Sequence, residues 1–340
     1  MATVWEAEQL DPPRIVAIKV LNSDFAKSPG DVENFYSEAK IAGELDHENI
    51  VTVFEVGCQN GVYYYVMELA SGYDTGKWVR RKGHLDEMNI LTIAESVAVA
   101  LQYAMAKLGI IHRDIKPENI MVDGDGTVRL TDLGIARFVR GRDLNEGYIS
   151  GTPAYMSPEQ VLCADDIDAR ADIYSLGATM YQLITGETLF HGHTDDSEVM
   201  ELQRTASVPD IRVANPSISA PFAELVACFL AKDRNLRPAN WDEALRQIRL
   251  VLQGQPPDMP LPPKGASTME LLPESYSERT AAMTEPAPVL KSTGTSFKSD
   301  RSVVSKLLRL HPNLFFFLAL ALASIFAFVL SFFLVSSCLD

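Results

Sequence analysis

Between Leu314 and Val335 the chain runs LFFFLALALASIFAFVLSFFLV, 22 residues without a charge and with only Ser324 and Ser331 polar. As a helix this run covers roughly 33 Å, slightly more than the hydrocarbon core of a bilayer. A helix in a water-soluble core seldom shows apolar residues on every face for so many turns, so the run reads as one C-terminal transmembrane helix, with membrane lipid as its partner. A basic juxtamembrane segment, 301–313, precedes it with Arg301, Lys306, Arg309 and His311, whereas only the tail 336–340, SSCLD, follows. That asymmetry predicts a single-pass cell-membrane protein with its body in the cytoplasm and its C-terminus outside. No signal peptide is expected, because the first turns of sequence contain Glu6, Glu8 and Asp11 and no continuous apolar stretch.

The formal charge is −15, from 45 acidic and 30 basic side chains. Residues 251–340 carry seven charges of each sign, so the whole excess lies in residues 1–250. Such a body repels phosphate backbones, and nucleic acid is excluded as a partner. Cys58, Cys163, Cys228 and Cys338 are scattered, without the close pairs of a zinc site or the density of a secreted scaffold. They fit a reducing compartment. Residues 253–300, which include QPPDMPLPP and many serines and threonines, cannot bury enough apolar surface to fold and read as a disordered linker.

Residues 1–252 read as an α+β body. TVWEAE and RIVAIKVL flank the turn-like LDPP as a hairpin. In DVENFYSEAKIAGEL the apolar residues Val32, Phe35, Ala39 and Ala42 fall at helical spacing, with Asp31 placed to cap the first turn. IVTVFEVG and GVYYYVMEL add two strands. Past Leu85 helical patterns dominate: MNILTIAESVAVALQYAMAKLG, ADIYSLGATMYQLITG, FAELVACFLAKD and NWDEALRQIRLVL. Two short strand-like pieces, ENIMV and VRLTD, bracket the turn DGDG. A small strand-rich lobe (1–70) and a larger helical lobe (75–252) should meet around residues 68–75.

Near that junction stand VAIK at 16–19, MEL at 67–69, HRDIKPEN at 112–119, DLG at 132–134, GTPAYMSPE at 151–159 and LRP at 236–238. In this order they resemble the signature set of the eukaryotic-like (Hanks-type) serine/threonine protein kinases, and the resemblance spans residues 3 to about 250. The proline-rich tether and membrane segment behind them look like the bacterial, membrane-anchored branch of that family.

The resemblance implies a two-lobed protein kinase fold that transfers the γ-phosphate of ATP to serine or threonine hydroxyls of proteins, with Mg²⁺ as cofactor and with self-association and autophosphorylation possible. It casts Asp114 as the residue that orients the substrate hydroxyl, Lys116 as the neutraliser of the migrating phosphoryl group, and Asn119 and Asp132 as metal ligands. Lys19 would anchor the α and β phosphates while paired with Glu38. Val4, Ala17 and Met121 would enclose adenine, with Met67 as gatekeeper, Glu68 to Ala70 as hinge and Asp74 as ribose contact. Arg113 would read a phosphate in the segment that offers Tyr148, Ser150 and Thr152, aided by Arg137, Arg140 and Arg142. Of these hydroxyls, Thr152 resembles the threonine that contacts the catalytic Asp and Lys. Glu159, Arg237 and Asp172 are cast as structural.

Two departures stand out. DLG replaces the commoner DFG, which leucine's apolar bulk accommodates. The chain also opens on MATVWEA, with no G-x-G-x-x-G before it, so the small lobe is expected to be incomplete, lacking its first strand and its glycine-rich phosphate lid. Either the reading frame starts further upstream or the protein is a catalytically impaired scaffold that recruits partners at the membrane. Retention of Lys19, Glu38, Asp114, Asn119 and Asp132 together favours the enzyme, since a scaffold needs none of their polar chemistry.

Overall fold

The computed structural model describes residues 2–132, 137–138, 151–208 and 210–263. Strand β1 (Ala2–Leu10) pairs antiparallel with β2 (Pro13–Leu21) along its whole length, from Ala2↔Leu21 to Leu10↔Pro13. This overturns the expectation that the small lobe lacks its first strand. The cause is local: only Asp11 and Pro12 separate the two strands, so the chain reverses at once and TVWEAEQL is drawn into register beside a strand that has one face in the core. Strands β3 (Val53–Gln59) and β4 (Val62–Glu68) complete a sheet of order β1-β2-β4-β3. Asn60 and Gly61 join them with φ of 51° and 79°, the left-handed pair that a tight hairpin requires.

Helix α1 (Pro29–Gly43) crosses this sheet. Its cap is Ser28, whose hydroxyl accepts the Asp31 amide at 3.3 Å, and not Asp31, which lies in the first turn. Pro29 decides the register, being tolerated at the first helical position, where no amide donor is needed. Phe35, Ala39, Leu21 and Tyr65 form the small lobe's core, and the same buried helix face carries Glu38.

The larger lobe begins with β5 (Tyr73–Asp74), α2 (Thr75–Lys82) and α3 (Glu87–Leu108), followed by the short strands β6 (Ile110–Ile111), β7 (Ile120–Val122), β8 (Val128–Leu130) and β9 (Arg137–Phe138). Helices α4 (Pro158–Val161), α5 (Ala169–Thr185), α6 (Asp196–Thr205), α7 (Ile211–Ala214), α8 (Ala220–Phe229) and α9 (Trp241–Leu252) follow. One continuous apolar core gathers α3, α5, α8 and α9 and includes the fully buried Ile90, Ile173, Phe222, Phe229 and Ile248. Helix α5 is buried along nearly its entire length, so it is the post on which the surrounding loops are hung.

Among the described residues one helix, α3, is long and apolar enough to cross a membrane, and nine of its residues are buried, seven of them within this core. The run 314–335, its basic flank 301–313, the tail 336–340 and most of the linker 253–300 lie outside the described residues.

Candidate active site

The loop from His112 to Asn119 connects β6 to β7 and is fixed from below by α5. Asp172, wholly buried, accepts the backbone amides of His112 and Arg113 on its two oxygens, each at 2.7 Å. Arg113 has φ of 67°, a left-handed backbone that costs a non-glycine residue about 1–3 kcal/mol unless its surroundings enforce it. Asp172 enforces it on one side. On the other, Gln160 donates its amide to the Arg113 carbonyl at 2.9 Å while closing a capping box with Ser157 at the start of α4.

Held this way, Asp114 becomes the centre of a connected network. Thr152 donates to Asp114 Oδ1 at 2.7 Å, Lys116 Nζ lies 2.7 Å from Oδ2, and the same ammonium donates to Thr152 Oγ1 at 2.7 Å. Asn119 Nδ2 donates to the Asp114 carbonyl at 2.9 Å. Burial by itself would raise the Asp114 carboxyl, but the hydrogen bond and charge of Lys116, together with Thr152, outweigh it and hold the group below the usual carboxylate range.

A second cluster is built on Lys19. Lys19 on β2 lies 2.8 Å from Glu38 Oε1 on α1 and also pairs with Asp132, so one ammonium joins both lobes. Burial alone would depress Lys19, yet the carboxylates of Glu38 and Asp132 prevail and its pKa is raised above the ordinary 10.5. Asp132 carries φ of 55°, a second left-handed non-glycine residue in the site. Tyr65 donates to Glu38 Oε1 at 2.7 Å, so that oxygen is held by two donors.

Asn119 and Asp132 offer a hard cation the oxygen ligands it favours. The Asn119 amide nitrogen is spent on Asp114, which leaves its carbonyl oxygen as the ligating atom. No group of three or more His, Cys, Asp or Glu side chains among the described residues could hold a metal alone. Asn119 and Asp132 are the residues that would hold Mg²⁺ here.

The positions cast around the nucleotide fall on β1, β2, β4, β5 and β7 and in the connection after β4. Ala17, buried on β2, stands opposite Met67 on β4, and Val4, half exposed on β1, stands opposite Lys19. Glu68 is tied to the Thr52 carbonyl at 2.8 Å through its amide, and its carboxylate lies 3.4 Å from Arg129 on β8. Ala70 follows in the connection. Two residues on, Gly72 runs so close to β7 that a Cβ there would lie 1.7 Å from the Val122 carbonyl oxygen, which fixes the path of the hinge. Asp74 is buried and caps α2, accepting the Lys77 amide at 2.6 Å, and it pairs in register with Met121. Ser150, Tyr148, Arg140 and Arg142 lie outside the described residues. Beneath the loop that follows Thr152, Arg237 meets Glu159 through two bonds of 2.6 and 3.0 Å, both side chains buried.

Sequence reasoning missed Tyr65, Arg129 and Gln160. Tyr65 is the last tyrosine of YYY in a strand whose alternation turns it inward, a usable signal for burial but not for its acceptor. Gln160 was legible, since S-P-E-Q is a capping-box pattern. Nothing local marks Arg129.

A family model for the protein kinase domain matches residues 1–248. This chain belongs to the protein kinase family. It is 32% identical over 290 residues to the serine/threonine-protein kinase PknA of Mycobacterium tuberculosis, an alignment covering 83% of this chain and 66% of that protein. It is 33% identical over 310 residues to PknB of Mycolicibacterium smegmatis (89% and 49%) and 33% over 234 residues to PrkC of Bacillus subtilis (68% and 36%). The chain thus spans from about a third to about two thirds of the length of these relatives.

Proposed function

We propose that this chain is a membrane-tethered serine/threonine protein kinase that transfers the γ-phosphate of ATP to protein hydroxyls, its own included. The observation that carries the reading is the simultaneous assembly of both clusters: Asp114 bonded to Lys116, Thr152 and Asn119, and Lys19 joined to Glu38 and Asp132. A scaffold has no use for this assembly, which sets an ammonium among oxygen donors in each of the two clusters. The resemblance to kinases named for serine/threonine specificity supports the same conclusion.

Phosphoryl transfer needs positioning and charge stabilisation more than covalent help. Lys19 supplies a fixed positive charge for the non-transferred phosphates, its orientation set by Glu38 and, through Glu38, by Tyr65. Bound at Asn119 and Asp132, Mg²⁺ would neutralise charge on the phosphate oxygens. The substrate oxygen forms its bond to the γ-phosphorus as the bond to the bridging oxygen of ADP breaks. Asp114, held below the usual carboxylate range, is a weak base, so it orients the hydroxyl first and takes its proton at a carboxylate oxygen only as the new bond forms. Lys116, beside both Asp114 and Thr152, is placed to follow the charge on the migrating group. The apolar run Leu314–Val335 would hold this machinery at the cytoplasmic face of the membrane.

The test is incubation of the full chain in detergent with γ-labelled ATP, Mg²⁺ and a generic protein substrate, followed by acid hydrolysis. Labelled phosphoserine or phosphothreonine is the expected product, and absence of both overturns the reading. Protease added outside intact cells should leave the body undigested; its digestion would overturn the orientation.

A further inference from the structure

Beneath Pro153 and Ala154 lies a chain of polar contacts that the transfer chemistry does not use. Lys232, in the segment after α8, donates from Nζ to Tyr174 Oη on α5 at 2.8 Å. Tyr174 donates in turn to Gln203 Oε1 on α6 at 2.6 Å. Gln203 then donates from Nε2 to the carbonyls of Ala154, at 2.7 Å, and Pro153, at 3.3 Å. Tyr174 and Gln203 are both fully buried. The chain ends at the two residues that follow Thr152, whose hydroxyl joins Asp114 to Lys116. Pro153 and Ala154 also line a cavity of about 150 Å³ together with Thr152, Phe190 and Val199.

The direction of this chain is dictated by its first member. An ammonium has donors and no acceptor, so it can only donate to Tyr174, whose own proton must then go to Gln203 Oε1. That sets the Gln203 amide with its nitrogen toward the two carbonyls, which can only accept. A neutral amine at Lys232 carries a lone pair that can take the Tyr174 proton instead, and the ordering lapses.

Among the described residues no carboxylate pairs with Lys232. It sits over the rings of Tyr174 and Phe190, at 5.2 and 5.1 Å from their centroids. The charged group bearing on it is Arg237, which donates to the Lys232 carbonyl at 3.1 Å, stacks 4.9 Å from the Tyr174 ring and is itself neutralised by Glu159 on α4. His193 and Asp196 line the neighbouring cavity. Burial, with Arg237 adding to it, pushes the Lys232 ammonium down to about 7.

We propose that Lys232, acting through Tyr174 and Gln203, is a positioning residue for the Pro153–Ala154 segment and so sets how tightly the protein substrate is held beside Asp114. The proposal rests on the kinase reading. It makes substrate affinity depend on pH near neutrality: the donor-only state is present below the Lys232 pKa and is lost as pH rises through it.

The experiment measures the KM for a serine peptide and the KM for ATP with the full chain in detergent, between about pH 6 and 8.5. In the wild type the peptide KM should rise by about threefold to tenfold over this range, the worth of one buried hydrogen bond. Lys232→Arg, which cannot lose its charge, should keep the low value throughout. Lys232→Gln, whose amide oxygen can take the Tyr174 proton at any pH, should show the high value throughout, and none of the variants should alter the KM for ATP. Combining Lys232→Gln with Gln203→Leu should cost no more than Gln203→Leu alone, since both interrupt one chain. A wild type that transfers no phosphate overturns the kinase reading and this proposal with it. An active wild type whose peptide KM is indifferent to Lys232→Gln, or variants that raise both KM values together, overturns the relay alone.

Discussion

Replacing Tyr65 by phenylalanine isolates one hydrogen bond at the nucleotide end of the site. The ring is 2% exposed and packs against Phe35 with centroids 5.1 Å apart, and phenylalanine preserves that packing, so no cavity is created. What is lost is the 2.7 Å bond to Glu38 Oε1. A hydrogen bond to a charged acceptor contributes about 1.5–3 kcal/mol. Because Lys19 stays 2.8 Å from the same oxygen, the carboxylate is not orphaned and the lower end applies, about 1.5 kcal/mol. For a body of this size that is a fall in Tm of about 3–6 °C. The same bond sets the orientation of Glu38 and hence of Lys19, so the KM for ATP should rise by up to about tenfold while the peptide KM stays put. Calorimetry and initial-rate kinetics on the variant read both quantities. An unchanged Tm with an unchanged KM for ATP would refute the reasoning, and a loss above about 4 kcal/mol would show that ring packing had been disturbed instead.

Glu159→Ala should cost about 3–5 kcal/mol in urea unfolding, because it leaves the fully buried Arg237 guanidinium without its counter-charge; a loss below about 1 kcal/mol would contradict the assignment. Asp114, held below its ordinary 3.8, contributes stability that is present above that value and disappears as pH falls through its lowered pKa. Asp114→Asn should therefore flatten the acid limb of the stability curve below about pH 4, and an unaltered limb would show that Asp114 is not the group responsible.

How much of this was legible depended on whether the signal was local. RIVAIKVL, GVYYYVMEL and the long run before Gly109 announce strands and helix by their periods, and each forms where its pattern falls. The cap of α1 was misread as Asp31 because Ser28 and Asp31 are both capping types, and only the proline between them selects Ser28. The expectation of a missing first strand came from comparing the opening residues with a family pattern. Local pairing decides instead, and Ala2–Leu10 has a complete partner in β2. The site was legible where charged residues sit inside a dense motif, as in HRDIKPEN. It was illegible where a side chain acts across the fold: Arg129 reaches Glu68 from 61 positions away, and Lys232, in the unremarkable sequence AKDRN, reads as a solvated surface lysine until α5 is seen beneath it.

The central claim is that Asp114 positions a hydroxyl for attack on ATP, and single-turnover transfer of labelled phosphate by the wild type and by Asp114→Asn tests it most directly. Asparagine matches aspartate in size and can still accept from Thr152, so folding and nucleotide binding should persist. The loss of a proton acceptor at this position should slow transfer by roughly 10²–10⁴-fold. Equal transfer rates in the two proteins would contradict the account.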